Sequence, residues 1–108
     1  MKTQEEIKTP LCPAKELEYK AGEVVTKEIF SNGNGSVTLL AFAGGAMLAR
    51  HSVPFDVFVY VMEGAVEFEV EDQRQHLDAD DAILLPANSP HTVLALKDSK
   101  VLLTKVKA

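Results

Sequence analysis

Only one cysteine, Cys12, stands among the 108 residues, so no internal disulfide can form and packing alone must hold the fold. Basic residues are also in short supply. Eleven Lys and Arg face 16 Asp and Glu, a formal charge of −5. That balance argues against non-specific nucleic-acid binding and against anionic membranes, both of which need a basic face. Long apolar runs are missing too. The longest uncharged apolar stretch, Val37 to Ala49, is interrupted by Thr38 and Gly44-Gly45 and is too short and too polar to span a bilayer. Met1-Lys2-Thr3-Gln4-Glu5-Glu6 carries acids and no apolar core, so it does not read as a secretory signal. A soluble, cytoplasmic protein without a membrane or nucleic-acid partner is expected. There is no nucleophile turn with a Ser-His-Asp order, no phosphate-gripping glycine loop and no CxxC pair. Gly33-Asn34-Gly35 reads as a hairpin turn.

What is present is β-forming sequence. Hydrophobic residues make up 46% and charged residues 25%, the composition of one globular domain with its own core. Val66-Glu67-Phe68-Glu69-Val70-Glu71 alternates apolar and acidic residues, which predicts a strand with one buried and one wet face. Val57-Phe58-Val59-Tyr60-Val61-Met62 is apolar on both faces and predicts a strand covered on both sides; Glu63-Gly64 ends it in a bend. Further strands are expected at Val24 to Phe30, Val37 to Phe42, Ala82 to Leu85, Thr92 to Leu96 and Val101 to Val106, with turn clusters between them. No stretch carries a helix period long enough for a substantial helix. Thr3-Gln4-Glu5-Glu6 and Pro13-Ala14-Lys15-Glu16-Leu17 suit short turns. The fold class is therefore all-β, an antiparallel sandwich or barrel. Residues 1–23 form an arm whose Leu11, Leu17 and Tyr19 must pack on the barrel of residues 24–108 or on a partner subunit.

Chemistry centres on the histidines. His51 and His91 each sit where a loop enters a strand, and two neutral imidazoles on adjacent strands can share one metal or one acidic ligand. The competing reading is a pair of hydrogen-bonded, partly buried rings that only pack. His76 is expected to face water, because Leu77 takes the inward position. Glu63, Glu67, Glu69 and Glu71 read as a solvated acidic edge.

Two spacings carry a resemblance. The first runs Gly45, five residues, His51-Ser52-Val53, Pro54-Phe55-Asp56, Val57, six residues, Gly64. The second runs Asp80, five residues, Pro86-Ala87-Asn88, Ser89-Pro90, His91, three residues, Ala95. Over roughly residues 24 to 106 the chain resembles the cupins, and within them small single-domain, RmlC-like proteins. The resemblance implies an antiparallel jelly-roll barrel, a double-stranded β-helix, and favours a homodimer. It also implies a metal site of three histidines and one glutamate. His51 and His91 take the first and last histidine positions. Val53 falls on the second histidine and Val57 on the glutamate, and neither can donate an electron pair. The expected site is thus degenerate. No tightly bound cofactor is expected, and a divalent transition metal (zinc, nickel, iron, manganese or copper) would be held at His51 and His91 only weakly or adventitiously.

If His51 and His91 face inward, strand parity turns Val53, Val57, Val59, Val61, Val93 and Ala95 into the lumen, with Met47 and Ala49 beside them. The expected pocket is His51, His91, Met47, Val53, Val57, Val59, Val61 and Val93: an apolar cup with two polar groups at one end. Burial there would hold both imidazoles neutral at pH 7. Asp56 falls on the outward parity unless a bulge reverses it, and Met47 is soft enough for copper(I) if it points in. Phe58, Tyr60 and Met62 form an outer apolar stripe that needs a cover, from the arm or from a second subunit. Three functions fit. One is a cupin that binds a small, partly apolar molecule without a tight metal. Another is a metal-dependent cupin enzyme, of dioxygenase or isomerase type, with an irregular third ligand. The last is a dimeric structural or regulatory module with a filled lumen. No catalytic residue can be named. An open cavity of ~300 Å³ or more separates the first from the last.

Overall fold

The computed structural model describes residues 9–108. The turn expected at Thr3-Gln4-Glu5-Glu6 lies outside the described residues. A 3-10 turn at Pro13–Lys15, with proline in its first position, precedes nine strands: β1 (Val24–Asn32), β2 (Gly35–Phe42), β3 (Met47–His51), β4 (Phe55–Glu63), β5 (Ala65–Val70), β6 (Gln73–Asp78), β7 (Ala82–Leu85), β8 (His91–Ala95) and β9 (Ser99–Lys107). Among the described residues there is no α-helix, and no helix is long and apolar enough to cross a membrane.

The strands form two antiparallel sheets, a five-stranded one in the order β1-β2-β9-β4-β7 and a four-stranded one in the order β3-β8-β5-β6. This is the double-sheet jelly-roll the resemblance implies. Each inner face follows from alternation. Val57, Val59 and Val61 of β4 meet Val66 and Phe68 of β5, Val93 of β8, Leu40 and Phe42 of β2 and Val101 of β9 in one buried cluster. Burying each such side chain stabilises the fold by about 1.5–3 kcal/mol. On β5 the alternate residues Glu67 and Glu69 turn outward, where Arg74 of β6 lies 3.7 and 3.8 Å from their carboxylates.

Two glycines are dictated by close approach. A Cβ on Gly35 would lie 2.0 Å from the Lys105 carbonyl oxygen, so only glycine lets β9 pair with the start of β2. Gly64, with φ +90°, turns β4 into β5; a Cβ there would meet Ser99 Oγ at 2.3 Å. Ser99 is fully buried, and its hydroxyl accepts from the Ala65 N–H at 3.0 Å and donates to the Lys97 carbonyl at 2.7 Å.

The outer face of the five-stranded sheet divides into two zones. Leu17 of the arm is buried on Leu39 and Ala41, with Tyr19, Val25, Ile29, Met62 and Leu102 around it. The Tyr19 hydroxyl donates to Glu63 Oε2 at 2.6 Å, and the Lys100 ammonium sits 5.0 Å from the Tyr19 ring centre. Glu63 is therefore not part of a free acidic edge. Burial, then the Glu63 hydrogen bond and charge, push the Tyr19 phenol well above its ordinary range. Met62 is covered in this way, and Tyr60 donates to Asp80 at 2.5 Å. Phe58 is not covered: it stays 47% exposed beside its β7 partner Leu84, 63% exposed.

Candidate functional site

Two proline-framed loops bring the histidines to one end of the barrel. The loop before β8 is pinned by the loop before β4. The Asn88 N–H donates to the Val53 carbonyl at 2.8 Å, and the Ala87 N–H to Asp56 Oδ1 at 2.9 Å. Asn88 adopts φ 64°, a left-handed conformation that asparagine tolerates better than most residues. Asp56 is thus exposed and engaged with backbone, away from the lumen.

His51 of β3 and His91 of β8 are direct cross-strand partners, with ring centroids 4.3 Å apart and planes tilted by 58°. His91 is buried and lies 6.2 Å from the Phe68 ring; His51 is exposed at the rim. Each ring is held by its own loop. His51 Nδ1 lies 2.9 Å from the Ala49 carbonyl and His91 Nδ1 lies 3.0 Å from the Ser89 carbonyl. A carbonyl oxygen can only accept, so both Nδ1 atoms carry the proton and donate. In the neutral rings that leaves both Nε2 atoms with free lone pairs. Burial lowers the His91 pKa below the ordinary histidine value, and the neighbouring His51 adds to the effect, against the raising hydrogen bond that His91 donates to the Ser89 carbonyl. His91 is neutral at pH 7.

Between the sheets at this end lies a cavity of about 50 Å³. His51, Val53, Val57, Val59, His91 and Val93 line it, as parity requires. Met47 does not. It is 60% exposed, and Leu48 takes the inward position in its place. The cause is a β-bulge: Leu48 pairs with Val93 and His51 with His91, so three steps on β3 match two on β8. The extra residue reverses the alternation. It carries Met47, Ala49 and Arg50 outward while still turning His51 in, which removes Met47 as a metal ligand. Val61 is fully buried but belongs to the core below the cavity and not to its wall. Phe68, Leu85 and Lys105 line the cavity and were not anticipated. Phe68 follows from the β5 alternation. Lys105 follows from β9, where Val101, Leu103 and Lys105 share one face.

At about 50 Å³ the space is well below the ~300 Å³ at which pockets for drug-sized ligands begin. It holds roughly four water-sized positions. The donor set for a resident metal is also short. Among the described residues no group of three or more His, Cys, Asp and Glu could hold an ion. His76 faces outward and pairs with Asp78 Oδ1 at 2.8 Å, and Cys12 is exposed in the arm. Two Nε2 lone pairs without a carboxylate do not make the site of a tightly held divalent cation.

Comparison with known proteins places this geometry. A family model described as a cupin domain matches residues 38–106. No curated protein matches the chain. A protein of unknown function from Streptococcus pyogenes has a similar solved structure, with a TM-score of 0.87 at 22% identity, over 94% of this chain and 89% of that one. A cupin superfamily protein from Desulfitobacterium hafniense DCB-2 reaches 0.87 at 20% identity, over 94% and 93%. At these identities the likeness is one of fold. A cupin 2 conserved barrel domain protein from Leptotrichia buccalis is 31% identical with a TM-score of 0.82, over 87% of this chain but 46% of its own length.

Proposed function

The chain belongs to the cupin domain family, and from that premise we propose that it binds a small, partly apolar molecule at the barrel mouth without a tightly held metal. The observation that carries this is the matched pair of Nδ1 hydrogen bonds to Ala49 and Ser89. In the neutral rings they leave both Nε2 atoms as acceptors before any ligand arrives, so a hydroxyl or amine donor meets two preset lone pairs. The valines around them supply an apolar wall for the rest of the molecule. The cavity volume limits that molecule to a few heavy atoms inside the barrel. A cytoplasmic homodimer, closed over the uncovered Phe58 and Leu84, is part of the same proposal.

A direct test is an NMR titration with small alcohols, amines and hydroxy acids, reading the imidazole ¹⁵N resonances. Binders should move the Nε2 signals of His51 and His91 and lose affinity in His91→Ala. A panel that leaves both rings unmoved would overturn the reading. The small cavity favours a second reading, a dimeric structural or regulatory module with a filled lumen, and that null result is what it expects.

A further inference from the structure

Lys105 is the one charged side chain in the cavity wall. It is half-buried, on the inward face of β9 beside Leu103, and among the described residues it has no ion pair. Every other lining residue except the two histidines is apolar. The chain has acidic side chains in surplus, with a net charge of −5, yet none of those described forms an ion pair with this inward-facing lysine. The same wall carries His51 and His91, whose ring centroids lie 4.3 Å apart. The cavity therefore offers one anion-binding point and one donor-accepting point, separated by apolar wall.

Resting on the reading of the mouth as a ligand site, we infer that the ligand is a small hydroxycarboxylate. Its carboxylate pairs with the Lys105 ammonium, and its hydroxyl donates to the His51–His91 pair. A simple carboxylate leaves the imidazoles unpaired. A simple alcohol leaves the ammonium unpaired. Both omissions cost binding, because a polar group that the ligand shields from water without pairing it is unfavourable. Size agrees with charge: roughly four water-sized positions correspond to the few heavy atoms of a two- or three-carbon hydroxy acid.

The experiment compares lactate, methyl lactate and propionate by NMR titration of the wild type and of Lys105→Met. Lactate is expected to bind roughly tenfold more tightly than either analogue, the ratio one charge-assisted hydrogen bond supplies. Lys105→Met should weaken lactate by a similar factor and leave methyl lactate within about twofold. Added salt should weaken lactate more than methyl lactate. If methyl lactate matches lactate, or Lys105→Met leaves lactate unchanged, the carboxylate assignment is overturned while the mouth remains a ligand site. If propionate matches lactate, the hydroxyl assignment is overturned. If none of the three binds and the broader panel is also silent, the ligand site itself falls.

Discussion

His51 and His91 stand opposite each other on β3 and β8 with ring centroids 4.3 Å apart, yet one ring is exposed and the other buried. The pairing is set by backbone register, and the difference in environment by the bulge that brings His51 in at the rim. His51 stands close enough that its charge disfavours a proton on His91 across that short gap.

That asymmetry predicts how stability depends on pH. Burial and the His51 neighbour hold the His91 pKa below 6.5 in the folded protein, whereas the unfolded chain titrates near 6.5. Between the two values the unfolded chain binds more protons, so stability rises with pH. The contribution is fully present above the unfolded pKa and is lost as pH falls through it toward the folded value. Urea midpoints measured from about pH 8 down to about pH 5 should fall, and His91→Asn should flatten that part of the curve. An unchanged slope in the variant would place the acid sensitivity elsewhere.

Metal removal gives a second outcome. With two nitrogen donors and no carboxylate, zinc or nickel should bind weakly and reversibly, and His51→Ala should abolish that binding. Dialysis against a chelator should leave the melting temperature of protein made without an affinity tag unchanged. Near-stoichiometric metal that survives the chelator would contradict the two-donor account.

The arm supplies a third. Leu17 is 7% exposed and seals Leu39 and Ala41, so Leu17→Ala should cost about 2–4 kcal/mol in chemical unfolding. Tyr19→Phe removes one hydrogen bond to a half-buried carboxylate and should cost about 1–2 kcal/mol. If both variants unfold like the wild type, the arm contributes nothing to the barrel's stability.

Seven of the nine strands were legible in the sequence because β-branched and aromatic residues alternate along them; Ala82–Leu85 has the expected bounds, and the others differ by one or two residues. β6 was not legible. Gln73–Asp78 is an edge strand with Leu77 as its one apolar residue, so it carries no period to read. β3 was not legible either, because its bulge breaks the alternation within five residues. The same bulge explains the site. The inward valines of β4 and β8 follow from unbroken parity, whereas Met47 was assigned inward by a count that one extra residue reverses. Lys105 was hidden for a different reason: a charged residue near a strand end reads as solvent-facing until the barrel closes around it.

The uncovered sheet face yields a fourth prediction. Leu84, Phe58, Thr104, Val37 and Phe30 are register partners in one row across all five strands, and Phe58, Leu84 and Phe30 are exposed. A second copy laid on this row removes the apolar area from water. Light scattering should give a dimer for the wild type, and Phe58→Glu, at a position already open to solvent, should give a folded monomer. A monomeric wild type would refute the homodimer.

Val53 and Val57 share the cavity wall with His51 and His91, so the missing donors can be restored in place. The double substitution Val53→His with Val57→Glu puts four donors around one space. Val57 is 4% exposed and Lys105 is its register partner on β9, so in metal-free protein the new carboxylate would be buried with that one ammonium as its neighbour, at a net cost in stability. Zinc or nickel, shared with the three imidazoles, is the stronger partner. At a metal concentration about 100 times the dissociation constant, linkage returns about 2.7 kcal/mol. The melting temperature of the double variant should therefore drop below that of the wild type and recover with metal, while the wild type responds little. Val53→His with Val57→Gln keeps the shape without the charge and should recover far less. Equal metal responses in wild type and double variant would show that the two valines are not what keeps a cation from binding tightly.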